Sequence, residues 1–275
     1  MAERKQKVSI PLTVLSVLIA VIVVFPIVWM VLSSFKPSGE LFSYPLHLFS
    51  QDPTVEHYAS VLAGGFMGYV KNSLFLAVVG TLITLVISSM CGYALAIYRF
   101  EIKYVNLVFG VFLLGTLIPG ETLTVPQFSV ISALGLYNNI WGVILPVVTT
   151  TTGIFMYRQH YMSIPLSFVE AARIDGANEA RIQWSIVLPL ITPTLFYIAV
   201  TTCIEALQAF AQINILTKGG PGQATTTITY NIYTTAFNAG SANFGIASAL
   251  GIVLFLFVFV LTLLQFRFLE GKVNY

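Results

Sequence analysis

The sequence predicts an all-α polytopic membrane protein with six transmembrane helices, and three observations carry that prediction. Hydrophobic residues make up 57% of the 275 and charged residues only 9%, where a soluble domain averages roughly a quarter charged. Six stretches are apolar over about 20 residues, the length that crosses a bilayer core. None of the chain shows the alternation, about ten residues long, of a membrane barrel. An isolated strand would leave its backbone unsatisfied in hydrocarbon, so the spans are helices.

The predicted spans are 9–34, 72–98, 104–125, 139–157, 187–213 and 244–267. The first opens on the basic head MAERKQK, a pattern shared with signal peptides. Its apolar run continues through Trp29 to Leu32 with no A-x-A-like site to close it, so it is read as a retained span. Ser88, Gly92 and Ala96 recur at every fourth position in the second span, as do Gly245 and Ala249 in the sixth. Small residues at that spacing let helix backbones approach closely. Pro26, Pro119, Pro126, Pro146, Pro189 and Pro193 lie in or beside spans, where breaks are tolerated if neighbouring groups satisfy the freed backbone.

Lys and Arg orient the chain, because cytoplasmic loops carry the excess. With the N-terminus inside, Arg4, Lys5, Lys7, Arg99, Lys103, Arg158, Arg173, Arg181, Arg267 and Lys272 lie in the cytoplasm, and only Lys36, Lys71 and Lys218 outside. Both termini are therefore expected to be cytoplasmic. The chain divides into a first span with its external loop (1–69), a core (70–267) containing a cytoplasmic loop at 158–189, and a tail (268–275).

Several classes are excluded. A net charge of +2 without a basic run gives no basis for nucleic-acid binding. Cys91 and Cys203 sit in apolar stretches and form no disulfide or metal pattern. No GxxxxGK[ST], GxGxxG, HExxH or GxSxG occurs, and TKGGPG places its Lys before the glycines. His160 stands alone at a span edge, as an interfacial residue. The chain shows no catalytic chemistry and no nucleotide site of its own.

The cytoplasmic loop reads SIPLSFVEAARIDGANEARIQWSIVLPLITP. Pro165 suits a first helical turn, Asp175-Gly176 reads as a turn, and Asn178 caps a second helix. The segment is therefore a helix–turn–helix at the membrane surface. It resembles the signature loop of binding-protein-dependent ABC permeases: Glu170-Ala171-Ala172, three residues, Gly176, nine residues, Ile186, one residue, Leu188-Pro189. Residues 25–42, 117–146 and the tail from Thr217 are similar to carbohydrate permeases of the maltose and glycerol-3-phosphate type. The opening resembles one member of the paired permeases and the close the other.

The resemblance implies a type I ABC importer permease fold. It also implies a coupling helix carried by Glu170, Ala171, Ala172, Arg173, Asp175 and Gly176. The implied partners are a second permease, two ATP-binding subunits holding ATP and Mg, an extracytoplasmic solute-binding protein and membrane lipid. The implied solute is a sugar or sugar derivative, with glycerol-3-phosphate or a glycerophosphodiester as the alternative.

Ionisable residues inside a span mark functional positions. Glu205, Gln208 and Gln212 follow at i, i+3 and i+7 of the fifth span and are expected to share a face. That stripe serves either a hydrated path for a hydroxylated solute or a set of interhelical hydrogen bonds. Glu121, with Thr116, Thr122, Thr124 and Gln127, is a second candidate for the path. The Thr149–Thr152 run serves either the same path or backbone carbonyls. The fifth span holds no Arg or Lys to receive a phosphate. A secondary transporter, the reading from another class, needs an inverted repeat that the sequence does not show.

Overall fold

The computed structural model describes residues 10–99, 101, 103–148, 150–238 and 240–269. Arg4, Lys5, Lys7, Lys272 and Thr149, and most of the predicted tail, lie outside the described residues. All regular structure among the described residues is helical. In chain order the helices are α1 Ile10–Ser34, α2 Glu56–Ala63, α3 Phe66–Ile97, α4 Val105–Gly115, α5 Gly120–Ala133, α6 Ile140–Val147 and α7 Thr151–Ser163. They continue as α8 Leu166–Ile174, α9 Glu179–Leu190, α10 Thr192–Leu207, α11 Ala211–Leu216, α12 Ile228–Phe237 and α13 Phe244–Leu269.

Helices α1, α3 and α13 are each long and apolar enough to cross a membrane alone, and α4–α5, α6–α7 and α9–α10 qualify as bent pairs. The six predicted spans are thus three single helices and three broken ones. The expected helix at 104–125 stops at Gly115, and α5 leaves it at 99°. Pro119 has no N–H to offer the Gly115 carbonyl. Threonine hydroxyls supply donors around the break, Thr116 to the Leu113 carbonyl at 2.6 Å and Thr122 to that of Pro119 at 2.7 Å.

The expected helix at 187–213 begins earlier, at Glu179, and bends by 70° after Leu190. Pro193 cannot bond the Pro189 carbonyl, and the Thr192 hydroxyl donates to it instead at 2.7 Å. Freed carbonyls inside a bilayer require such substitutes.

The chain forms two compact units. One takes in the chain up to Gly65 together with Ile232–Phe255. Within it, most of α1 exposes its apolar side chains, as a lipid-facing helix does. The Lys36 ammonium is fully buried, donating to the His47 carbonyl and lying 4.8 Å from the centre of the Trp29 ring. The buried His57 ring nitrogen Nε2 lies 2.8 Å from the Lys36 carbonyl oxygen. Outside the spans, Glu40 accepts hydrogen bonds from the Ser50 hydroxyl and the Gln51 amide, which hold its carboxyl below the usual range.

The other unit comprises Phe66–Asn231 and the chain from Leu256. Its centre is the packing of α3 on α7 and α10. Ser88, Gly92 and Ala96 are all buried, as their spacing predicts. At Gly92 an added Cβ would stand 2.6 Å from the Tyr157 Cβ and 2.9 Å from the Arg158 amide nitrogen. Neither atom belongs to a flexible chain end, so Gly92→Val should overpack the crossing and cost about 1–3 kcal/mol. A lowered melting temperature of the purified protein is the expected outcome; unchanged melting would refute so close a crossing.

Arg158 closes the same junction. Its buried guanidinium lies 4.0 Å from the Phe109 ring centre and donates to the Leu95 carbonyl at 3.3 Å and to Asn106 Oδ1 at 3.2 Å. Leu95 lies in the last turn of α3, where carbonyls lack helical partners, and ring stacking offsets the burial of the cation.

Candidate functional site

The cytoplasmic loop folds as a helical hairpin, α8 then α9. α8 ends in a closed turn: the Gly176 amide donates to the Arg173 carbonyl at 3.0 Å and the Ala177 amide to the Ala172 carbonyl at 2.9 Å. This six-to-one and five-to-two pairing requires a left-handed residue at the turn, and Gly176 holds φ +81°. Asn178 then caps α9, its side-chain oxygen accepting from the Arg181 amide at 2.8 Å. Arg173 Nε donates to Glu179 Oε1 at 2.9 Å and braces the two helices across the turn. That hydrogen bond raises the Arg173 pKa above its ordinary value, so the guanidinium stays charged.

The faces of α8 are distinct. Val169, Ala172 and Ala177 pack against the core around Tyr157, Tyr161 and Ile182. Glu170, Ala171 and Asp175 are exposed, flanked by apolar side chains that lie 54% exposed at Phe168 and 86% at Ile174. Trp184, a turn into α9, is 74% exposed. Ala171 thus lies between exposed apolar side chains with charged groups at the rim. Ala172, singled out with Ala171 in the sequence, anchors the helix from its inner side.

The second candidate region is a cavity of about 150 Å³ that Glu205 and Gln212 line together with Thr150, Thr202 and Gly80. Gln208 is not among its walls. α10 stops at Leu207, and the Gln208 amide donates to the Ile204 and Glu205 carbonyls at 3.1 and 3.2 Å as the chain turns. The expected continuous stripe is therefore broken, and Gln212 reaches the cavity from α11. The Thr229 hydroxyl satisfies the Leu207 carbonyl at 2.7 Å. Thr150 caps α7, accepting from the Gly153 amide at 2.8 Å, and also faces the cavity.

Glu121 stands exposed on the first turn of α5, away from these walls. Around it, Thr116, Thr122 and Thr124 donate to the carbonyls of Leu113, Pro119 and Glu121, so their hydroxyls serve the broken helix. His160 is half-buried in the last turn of α7, its Nδ1 2.6 Å from the Thr194 hydroxyl in the first turn of α10. Sequence spacing shows no signal for that pair.

Single and bent apolar helices long enough to cross a membrane, with a hairpin between α7 and α10, describe a multi-pass membrane protein. The chain matches the family of binding-protein-dependent transport system inner membrane components over residues 3–273, and it belongs to that family. It is 36% identical over 194 residues to the arabinooligosaccharides transport system permease protein AraQ of Halalkalibacterium halodurans, covering 69% of this chain and 68% of that one. It is 34% identical to AraQ of Bacillus subtilis over 67% of this chain and 66% of the relative. Identity to the sn-glycerol-3-phosphate transport system permease protein UgpA of Brucella abortus is 43%, over 41% of this chain and 38% of the relative.

In fold the chain is similar to a chain of a bacterial ABC transporter involved in the import of the acidic polysaccharide alginate. The TM-score is 0.78 at 22% identity, covering 94% of this chain and 95% of the other. The architecture is that of a type I ABC importer permease.

Proposed function

We propose that the chain is one of two permease subunits of an ATP-driven importer, and that it passes a sugar or sugar derivative delivered by an extracytoplasmic binding protein. Two ATP-binding subunits, with ATP and Mg, drive the cycle; this chain binds no cofactor and catalyses no reaction. Both of its termini face the cytoplasm.

The observation that carries this reading is the α8–α9 hairpin. Its outward face offers Ala171 between exposed Phe168 and Ile174, with Glu170 and Asp175 at the rim, a surface suited to a cleft on an ATP-binding subunit. Its inward face is fixed to the core by Val169, Ala172 and Ala177, and Arg173 braces it to Glu179. A force applied to the hairpin is therefore delivered to α3, α7 and α10. Gly176 supplies the turn.

Glu205 and Gln212 line the path. A carboxylate among walls that hold no Lys or Arg repels a phosphate, so a neutral saccharide fits better than glycerol-3-phosphate.

Vesicles reconstituted with the permease pair, the ATP-binding subunits and the binding protein should take up a labelled neutral oligosaccharide. Omitting the ATP-binding subunits should abolish uptake. Accumulation by this chain alone would overturn the proposal in favour of an ion-driven transporter.

A further inference from the structure

Beneath the α8–α9 hairpin lies a second cavity, of about 690 Å³, that shares no residue with the one around Glu205. The last turns of α3, helix α7 and the hairpin form its walls. Tyr93 and Tyr98 line it, and Tyr161, buried against Tyr157, backs them. Two of the three are held in place: Tyr93 and Tyr161 meet edge to face at 5.3 Å, and the Tyr161 hydroxyl lies 2.7 Å from that of Ser89. Gln183 and Glu101 supply polar groups, and the Arg173–Glu179 pair closes one side.

The chemistry of these walls selects among ligands. Tyrosine and serine hydroxyls and a glutamine amide both donate and accept, which matches a ligand whose own groups are hydroxyls. Aromatic rings provide apolar faces of the kind that the carbon face of a sugar ring can cover. Two carboxylates stand against a single guanidinium, itself engaged by Glu179, so an anionic ligand is disfavoured.

We infer that this cleft binds the imported neutral saccharide from the cytosolic side and slows further import as product accumulates. The inference rests on the importer reading above. Arg173 and Glu179 are at once a wall of the cleft and the brace across the hairpin turn. A ligand bound there stabilises the hairpin in its present position against α3. Any step that needs the hairpin to shift is then opposed by the ligand's differential affinity for the two positions.

The test uses proteoliposomes carrying the complete importer with its ATP-binding subunits and ATP in the lumen. Arabinotriose, xylotriose and maltotriose are first screened for uptake into empty vesicles. Whichever is imported is then preloaded, unlabelled, at millimolar concentration, with glycerol-3-phosphate as the anionic control. Preloaded saccharide should lower the initial uptake rate several-fold and the anion should not. Tyr98→Ala and Glu101→Ala should each restore the rate, with uptake into empty vesicles unchanged. Equal rates in loaded and empty vesicles, or inhibition that persists in both variants, would overturn the inference. Failure to import any neutral saccharide into empty vesicles would instead count against the importer reading itself.

Discussion

Replacing Gly176 with proline is expected to abolish transport while the protein still inserts in the membrane. Gly176 sits at φ +81°, and a proline ring holds φ near −65°. The substitution also removes the amide that donates to the Arg173 carbonyl at 3.0 Å. A misplaced proline costs about 3 kcal/mol or more, and here the cost falls on an exposed turn rather than on the core. The end of α8 should unwind, the Arg173–Glu179 brace should open, and Ala171 should lose its presentation. Gly176→Ala keeps the amide and meets only the left-handed penalty of about 1–2 kcal/mol, so it should retain partial uptake. Uptake assays beside membrane protein levels check both variants. Normal uptake by the proline variant would contradict the assignment of the hairpin.

Glu205→Ala should lower uptake without destabilising the protein. A charged side chain within a span costs about 2.5–3.5 kcal/mol on insertion scales, so a purely structural Glu205 would require a partner. The carboxylate faces a cavity beside Gln212 and Thr202 instead. Loss of one hydrogen bond between solute and a charged group, worth about 1.5–3 kcal/mol, corresponds to about tenfold or more in affinity. Reduced uptake or relaxed solute selectivity, at unchanged melting temperature, is the expected result. Full uptake with full coupling would remove Glu205 from the path.

The spans and the hairpin were legible because their signals are local. Apolar length locates α1 and α13 within two residues at each end, while α3 begins six residues before the predicted 72. Every fourth residue from Ser88 to Ala96 turned out buried. The order Pro165, Asp175-Gly176, Asn178 spells helix, turn and cap, and the structure forms each of them in place.

The broken spans were harder to read. Pro119, Pro189 and Pro193 marked positions where a helix could break, but whether a proline kinks or interrupts depends on what satisfies the freed carbonyls. Here the Ile118 amide reaches the Gly115 carbonyl at 3.4 Å and the Thr192 hydroxyl that of Pro189 at 2.7 Å, both from neighbouring positions. The end of α10 at Leu207 had no signal at all, since no Gly or Pro occurs between Thr194 and Lys218. It is stabilised from 22 residues away by Thr229. That hidden break is why helical spacing placed Gln208 with Glu205 and Gln212, while the folded chain brings only the outer two to the cavity. The inward role of Ala172 was equally invisible, because a pair of alanines does not state which one faces the core.

The most direct test of the hairpin as the point where force enters the permease is cross-linking at its outward face. In a background of Cys91→Ala and Cys203→Ala, the variant Ala171→Cys should cross-link to the ATP-binding subunit in assembled membranes, and the yield should change when ATP is hydrolysed. Labelling of Ala171→Cys from the external side only, with no cross-link to that subunit in any nucleotide state, would contradict it.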